Sequence, residues 1–280
     1  MSPKMKNFIV RAITGALFVA IMVAGLLDPT AMIGLFALIT GLALWEYTGL
    51  VNNIENVCIN RFISTVAGVY LFVAIAGINS GIIQTNAVFV PYLLTVVYLF
   101  ISELYTRNAN AVNDWAYTML GQMYIALPLA CINVLAFRQQ PDGTISFYFL
   151  LPLSVYIFLW VNDTGAYLSG SLLGRHKLFP RISPGKSWEG SIGGAAFSLI
   201  AATVLAHFFP FLPLLHWMGL ALTVVVFGTW GDLTESLLKR TLGIKDSGNI
   251  LPGHGGMLDR FDSTLMAVPA AVIYLYALSW

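Results

Sequence analysis

Apolar runs long enough to cross a lipid bilayer recur along the whole of this 280-residue sequence. Hydrophobic residues make up 58% of the chain and charged residues only 10%, whereas soluble domains carry about 25% charge. We therefore predict an all-α integral membrane protein with about nine transmembrane helices. The predicted spans lie near residues 8–27, 30–50, 62–80, 87–105, 115–137, 146–168, 190–211, 214–238 and 259–280.

The first predicted span is interrupted by Arg11, whose long side chain can snorkel to the membrane surface. A cleaved signal peptide is the alternative interpretation of this segment. No convincing cleavage site of the small-x-small type is present in the sequence, so a retained transmembrane helix is favoured.

The distribution of Lys and Arg predicts the orientation of the spans. Of the 14 such residues, only Arg138 falls on one side of the predicted topology. The others fall on the opposite side: Lys4, Lys6, Arg11, Arg61, Arg107, Arg175, Lys177, Arg181, Lys186, Lys239, Arg240, Lys245 and Arg260. Because cytoplasmic loops carry the excess of Lys and Arg, we predict a cytoplasmic N-terminus, cytoplasmic polar loops and a C-terminus on the outside.

Charged residues are concentrated between residues 228 and 263. This stretch begins as a helix with one polar face, formed by residues spaced i, i+3, i+4 and i+7: Asp232, Glu235, Ser236 and Lys239. A glycine-rich, cationic loop follows, and further carboxylates lie at its far end. Carboxylates bind hard metal ions, and glycine lets backbone N–H groups approach an anion. The pattern therefore suits metal ions that hold phosphate groups.

Polar residues also interrupt the sixth predicted span, at Asn162 and Asp163. A charged residue inside a span costs roughly 2.5 kcal/mol or more unless it is paired or faces water. The loop that follows contains Gly185-Lys186-Ser187, a fragment also found in phosphate-binding P-loops. We reject a P-loop, because Pro180 stands where the first glycine is required and no strand is predicted before it. Lys186 at a predicted helix start can still hold an anion.

The predicted directions of the spans bring four aspartates, Asp163, Asp232, Asp259 and Asp262, to the cytoplasmic half of the membrane. An alternative is that these charges only pair with one another so that the helices can insert. That alternative is strongest for Glu235 and Lys239, which are spaced i and i+4. Pairing alone does not account for the combination of a glycine-rich loop with an aspartate cluster.

The run from Ser236 to Ser263 resembles the signature of the phosphatidate cytidylyltransferases, also called CDP-diacylglycerol synthases. The family pattern is Ser-x-x-Lys-Arg, then Lys-Asp-x-Gly, then Pro-Gly-His-Gly-Gly-x-x-Asp-Arg-x-Asp. The matching residues are Ser236, Lys239, Arg240, Lys245, Asp246, Gly248, Pro252, Gly253, His254, Gly255, Gly256, Asp259, Arg260 and Asp262. Two upstream segments, residues 162–167 and 183–190, are similar to further family blocks.

The resemblance implies a Mg²⁺-dependent transfer of the cytidylyl group of CTP to phosphatidate, giving CDP-diacylglycerol and pyrophosphate. The catalytic residues implied are Asp232, Lys239, Arg240, Lys245, Asp246, His254, Asp259, Arg260 and Asp262. The substrate-binding residues implied are Asn162, Asp163, Ser183, Lys186, Ser187, Glu189, Glu235, Ser236, Gly253, Gly255 and Gly256. The metal ligands expected are Asp232, Asp259, Asp262 and Asp163.

The resemblance also implies a homodimer, a second cation such as K⁺, and membrane lipid as a partner, with no nucleic acid. We expect a multi-pass protein of the bacterial cytoplasmic membrane with its active site facing the cytoplasm. Residues 1–138 are predicted to be a scaffold of transmembrane helices that provides dimer and lipid contacts. Residues 139–280 are predicted to be a transmembrane catalytic region with cytoplasmic loops 169–189 and 239–258.

Two other functions are consistent with parts of the sequence. A cation-coupled transporter also uses intramembrane aspartates, but it needs polar groups in the outer half of its spans, which is nearly bare here. A purely structural membrane protein does not account for the dense polar residues at 239–262. Glu46, beside Trp45 and Tyr47 in the second predicted span, is compatible with a functional role and equally with an interfacial anchor.

Overall fold

The computed structural model describes residues 3–106, 110–248, 250 and 255–279, with side chains from residue 12 onward. The described chain is mostly helical. Its helices are α1 (Pro3–Leu27), α2 (Pro29–Val51), α3 (Arg61–Asn79), α4 (Val90–Ser102), α5 (Ala111–Gly121), α6 (Leu127–Ala136), α7 (Leu150–Leu173), α8 (Trp188–Phe208), α9 (Leu214–Thr241), α10 (Leu258–Phe261) and α11 (Thr264–Ala277). A 3₁₀ turn at Asn86–Phe89 precedes α4, and a π turn at Gln122–Ala126 joins α5 to α6.

Short polar residues begin several of these helices. The Asp28 side chain accepts the N–H of Ala31 (2.8 Å), and Pro29 occupies the first helical position of α2. Asn60 caps α3, and Ser187 caps α8 by accepting the N–H of Gly190 (3.1 Å). These caps satisfy backbone donors that the first helical turn leaves without partners.

Among the described residues, five helices are long and apolar enough to cross a membrane: Pro29–Val51, Arg61–Asn79, Ala111–Ala136, Trp188–Phe208 and Leu214–Thr241. Two shorter apolar helices lie at Ala12–Leu27 and Asn86–Ser102. A helical protein of membrane type is therefore confirmed. The count of nine spans and the orientation of the termini stay predictions, and Lys4, Lys6, Arg11 and Arg107, which enter the orientation, have no described side chains.

Two antiparallel hairpins were not predicted from the sequence. In the first, β1 (Phe137–Gln139) pairs with β2 (Ile145–Phe147). In the second, β3 (Lys177–Phe179) pairs with β4 (Ser183–Ser187). Strands of three to five residues are too short to show an alternating pattern.

Three predicted boundaries differ from the structure. The loop expected at 169–189 begins inside α7, which continues to Leu173, and the one expected at 239–258 begins inside α9, which continues to Thr241. Hydropathy placed both boundaries too early, because Gly, Ser, Lys and Arg lower it without ending a helix. The last predicted span is two helices, α10 and α11, separated by a turn at residues 262–263.

The chain packs as two compact units. The first contains residues 1–149 and 242–261, and therefore holds α1 to α6, the first hairpin and α10. Its core includes Tyr47 and Phe72, both fully buried. Phe261 of α10 packs edge-to-face against Phe18 and Phe36, with ring centroids 5.9 and 6.2 Å away. Helix α10 is thereby packed against α1 and α2.

The second unit contains residues 150–241 and 262–280, with α7, α8, α9 and α11. Its α7 and α8 make a very close contact along glycines. A Cβ at Gly165 would meet the ring of Phe197 at 2.9 Å, and one at Gly194 would collide with Asn162. Small residues allow such an approach of two membrane helices. The contact places the polar part of α7 against the start of α8.

Candidate active site

A polar cavity of about 330 Å³ lies within the second unit, between α7, the second hairpin and the start of α8. From α7 it is lined by Asn162, Asp163 and Tyr167. The hairpin contributes Lys186 and Ser187, and the remaining lining residues are small: Ala166, Gly170, Ser171, Gly185, Gly190, Ser191 and Thr229. The structure therefore brings together two segments that the sequence singled out separately.

The chemistry of the cavity lining suits an anionic ligand. Backbone N–H groups of the first turn of α8 carry the positive end of the helix dipole, and Lys186 adds a full charge. Asn162 is 6% exposed, and its Oδ1 has no hydrogen-bond partner among the described residues. The side chains of Tyr167 and Asp163 are exposed and line the cavity.

A group of charged side chains lies in the same unit, and we call it the charged cluster: Lys186, Asp232, Glu235, Lys239 and Asp262. Lys186 Nζ lies 2.5 Å from Asp232 Oδ2, and about 30% of each side chain is exposed. Lys239 forms an ion pair with Glu235, whose side chain is fully buried. The alternative that Glu235 and Lys239 pair with each other is therefore what the structure shows.

Asp232 and Asp262 are neighbours in the charged cluster. Helix α9 approaches the turn that contains Asp262 so closely that a Cβ at Gly231 would lie 2.5 Å from the backbone oxygen of Asp262. The Asp262 carboxylate interacts electrostatically with Asp232, Lys186 and Lys239. Ser236 donates a hydrogen bond to Asp232 Oδ1 (3.2 Å). Two carboxylates this close are stable only beside positive charge, which the lysines supply.

The first unit holds residues 242–261, which we call the signature loop. Asp259 Oδ2 accepts the backbone N–H groups of Ser247 (2.9 Å) and Gly256 (2.8 Å). Gly255 has a φ of +83°, and a Cβ there would lie 2.6 Å from Asp259 Oδ2. Asp259 therefore holds the loop in shape through its own carboxylate. Lys245, Asp246 and Arg260 are exposed.

The predicted metal ligands are only partly brought together. No group of three or more His, Cys, Asp or Glu side chains placed to hold a metal ion occurs within the described parts of the chain. Asp232 and Asp262 share the charged cluster, Asp163 lines the cavity, and Asp259 belongs to the other compact unit. The assignment of all four to metal stays a prediction.

The remaining predicted site residues have varied surroundings. Glu189 accepts the N–H groups of Arg175 and His176, and its Oε1 lies 2.6 Å from His176 Nδ1. It therefore connects the residues just before β3 to the start of α8, just after β4. Ser183 begins β4 opposite Phe179 and does not line the cavity. Arg240 is exposed at the end of α9. Gly253 and His254 lie outside the described residues.

Sequence reasoning left one residue that contacts the signature loop unassigned. Glu46 of α2 accepts hydrogen bonds from Ser247 and Leu258 of the signature loop. The sequence signal was a carboxylate inside an apolar span. Burying such a charge in a membrane is energetically unfavourable, so it usually marks a structural or functional role.

Comparison with known proteins identifies the family. Residues 6–278 match the sequence model of the cytidylyltransferase family. A phosphatidate cytidylyltransferase of Staphylococcus aureus (strain COL) is 32% identical over 268 residues, which cover 95% of this chain and 98% of that protein. A phosphatidate cytidylyltransferase of Staphylococcus haemolyticus (strain JCSC1435) is 39% identical over 188 residues, covering 65% of this chain and 68% of that protein. The chain belongs to the cytidylyltransferase family.

Proposed function

We propose that this protein transfers the cytidylyl group of CTP to phosphatidate, which gives CDP-diacylglycerol and pyrophosphate. The observation that supports the proposal is the similarity to the phosphatidate cytidylyltransferase of Staphylococcus aureus, which covers 95% of this chain and 98% of that protein. The polar cavity beside Lys186 is consistent with it, since both substrates are phosphates.

The reaction needs no nucleophile from the protein. Phosphatidate carries a phosphate monoester whose second pKa is about 6, so its oxygen is anionic near neutral pH. That oxygen attacks the α-phosphorus of CTP, and pyrophosphate leaves. The protein has to hold the two phosphates in line and neutralise their charge.

Asp232 and Asp262 are the residues we assign to Mg²⁺. Magnesium in proteins is usually bound through one or two carboxylates together with substrate phosphates and water. A pair of adjacent carboxylates fits that donor set, and Asp232 remains about 30% exposed. Bound there, Mg²⁺ supplies positive charge to the triphosphate. Asp163 and Asp259 are further predicted ligands, and K⁺ is proposed as a second cation.

Lys186 is the residue we assign to phosphate binding. Its ammonium group is held by Asp232 in this structure, beside the first turn of α8. Asp232 would hold the metal ion, and Lys186, which lines the cavity, would then be available to contact a phosphate group. Lys239, Arg240, Lys245, Asp246, His254 and Arg260 are proposed to act on the phosphates as well.

We propose nine spans, a cytoplasmic N-terminus and a cytoplasm-facing site in a homodimer. The segregation of Lys and Arg supports the orientation. A site in the cytoplasmic half of the membrane would receive lipid from the membrane and CTP from the cytoplasmic water.

The experiment is an assay of the purified, detergent-solubilised protein with radiolabelled CTP and phosphatidate. We expect labelled CDP-diacylglycerol in the presence of Mg²⁺ and none after chelation with EDTA. Phosphatidylglycerol, which has no phosphate monoester, is the matched lipid control and should give no product. Absence of labelled lipid product at any Mg²⁺ concentration would contradict the proposal.

A further inference from the structure

Glu46 is a carboxylate within α2, a helix apolar enough to cross a membrane. It is only 8% exposed. A buried carboxylate at such a position is costly unless donors or counter-charges surround it. Its surroundings therefore indicate why it is there.

The donors that surround Glu46 come from the signature loop. Its Oε2 accepts the backbone N–H of Leu258 (2.8 Å) and the hydroxyl of Ser247 (3.2 Å). These donors lie 212 and 201 residues further along the chain. Glu46 thus binds the loop at two points, one on each side of its glycine-rich middle.

A second layer of hydrogen bonds connects this anchor to Asp259. Ser247 donates its N–H to Asp259 Oδ2 (2.9 Å), and Asp259 donates its own N–H to Ser247 Oγ (3.3 Å). Ser247 is 5% exposed, so this connection is shielded from water. A shift of Ser247 relative to Glu46 would therefore also move the Asp259 backbone.

Two glycines of the loop are required by the Glu46 carboxylate. A Cβ at Gly256 would lie 2.5 Å from Oε2 and 2.6 Å from Oε1, and a Cβ at Gly248 would collide with Oε1. Real Cβ atoms do not approach other atoms this closely. Glycines at these positions therefore leave the space that the carboxylate fills.

We propose that Glu46 is a positioning residue for the cytidylyl transfer reaction. By anchoring Ser247 and Leu258 it fixes the loop that carries Lys245, Asp246 and Asp259. This inference rests on the proposed function for the reaction itself, while the anchoring of the loop is independent of it. Through Glu46, α2 then holds Ser247 and Leu258 of the signature loop in place.

Three substitutions separate the effect of the position of the carboxylate oxygen from the effect of its charge. Glu46→Gln keeps an acceptor oxygen at the same distance and loses the charge, whereas Glu46→Asp keeps the charge and withdraws the oxygen by one methylene. Glu46→Leu removes both. Glu55→Gln, in the exposed loop after α2, is the matched control for loss of one carboxylate charge.

The first readout is hydrogen exchange of the substrate-free protein in detergent. In Glu46→Asp and Glu46→Leu we expect exchange of the signature-loop amides to become about tenfold faster or more, as for the loss of a hydrogen bond to a charged group. Glu46→Gln and Glu55→Gln should remain close to the unsubstituted protein. This readout stands even if the proposed reaction is not observed.

The second readout is the steady-state kinetics of CDP-diacylglycerol formation. We expect kcat of Glu46→Asp to fall between about tenfold and 100-fold, because a misplacement of about 1 Å at a reacting group has that effect. Glu46→Gln should retain at least about a third of kcat, since glutamine has the same side-chain length and keeps an acceptor oxygen at the same position. If Glu46→Leu does not fold, Ser247→Ala serves as the second variant, with a smaller effect in the same direction.

Unchanged loop exchange in both Glu46→Asp and Ser247→Ala would overturn the proposal. So would a loss of kcat in these variants without faster loop exchange, because Glu46 would then act elsewhere than through the loop. A loss of kcat in Glu46→Gln as large as that in Glu46→Asp would show that the charge matters and not the anchor.

Discussion

Buried carboxylates serve differently in the two units of this protein. In the charged cluster, Asp232 and Glu235 face the ammonium groups of Lys186 and Lys239. In the signature loop, Glu46 and Asp259 face backbone N–H groups and a serine hydroxyl. Lysine side chains are flexible and rotate away at little cost, whereas a backbone N–H moves only with its loop.

This difference separates carboxylates that can exchange their partners from those that cannot. A carboxylate paired with a partly exposed lysine can accept Mg²⁺ in its place, and the lysine then becomes available to a phosphate. A carboxylate that accepts backbone N–H groups maintains the shape of the loop, and Asp259 is proposed to do this in addition to its predicted contact with a metal ion. The comparison therefore assigns ligand binding to the charged cluster and positioning to the anchor of the signature loop.

The largest effect is expected for a lysine whose partner is fully buried. Lys239→Ala would leave the Glu235 carboxylate, which is 0% exposed, without its lysine partner. Breaking a buried ion pair in this way costs about 3–5 kcal/mol. Lys186→Ala is the matched comparison and should cost less than Lys239→Ala, since Asp232 is 31% exposed.

The measurement is thermal unfolding of both variants in the same detergent. A double variant with Glu235→Gln and Lys239→Met should recover most of the lost stability, because it removes the buried charge together with its lysine partner. Equal melting temperatures for Lys239→Ala and Lys186→Ala would show that burial does not distinguish the two pairs.

The second prediction concerns Asp232→Asn, which removes one carboxylate charge from the proposed metal site. We expect kcat to fall by about 100- to 1000-fold, as for the loss of one electrostatic stabiliser of a transition state. Lys245→Ala is expected instead to raise the KM for CTP or lipid, because we propose that Lys245 contacts phosphate in ground and transition states alike. Equal losses confined to kcat in both variants would contradict this division of roles.

The third prediction tests the fit of the signature loop around Glu46. Gly256→Ala places a methyl group against the carboxylate and should destabilise the loop by about 1–3 kcal/mol. Gly34→Ala in α2, where nothing lies within 4 Å of the added Cβ, is the matched control and should not loosen the loop. Limited proteolysis of the loop measures the difference. Equal protection of both variants would refute the tight fit.

The smallest effect is expected at the second hairpin. His176 is 80% exposed, so water screens its contact with Glu189 and the contact should contribute little to stability. We expect His176→Ala to keep its melting temperature within a few degrees, since the Arg175 and His176 N–H groups still bind Glu189. A shift as large as that of Lys239→Ala would place the hairpin among the elements on which the fold depends.

Much of the fold could be predicted because apolar runs of about 20 residues leave few alternatives in a membrane. The pairing of Glu235 with Lys239 was open to prediction as well, since it depends only on the spacing i and i+4. The ion pair of Lys186 with Asp232 was not, because it joins residues 46 positions apart through the packing of two helices and a hairpin.

The role of Glu46 could not be predicted for the same reason. Its partners lie more than 200 residues away, and no local pattern relates α2 to the signature loop. The two hairpins were missed because strands of three to five residues are too short to show a clear alternation of apolar and polar residues. Local chemistry was thus accessible from the sequence, whereas contacts between distant segments required the structure.

The central claim is that Asp232 and Asp262 together hold the catalytic cation. Its most direct test is the melting temperature of the protein as a function of Mg²⁺ concentration, since a ligand that binds the folded state stabilises it in proportion to the logarithm of its concentration. We predict a rise for the unsubstituted protein and for Asp142→Asn, a control at an exposed carboxylate of the first hairpin. Asp262→Asn should lose both activity and this rise, whereas an Asp262→Asn protein that keeps the full Mg²⁺-dependent rise would remove Asp262 from the metal site.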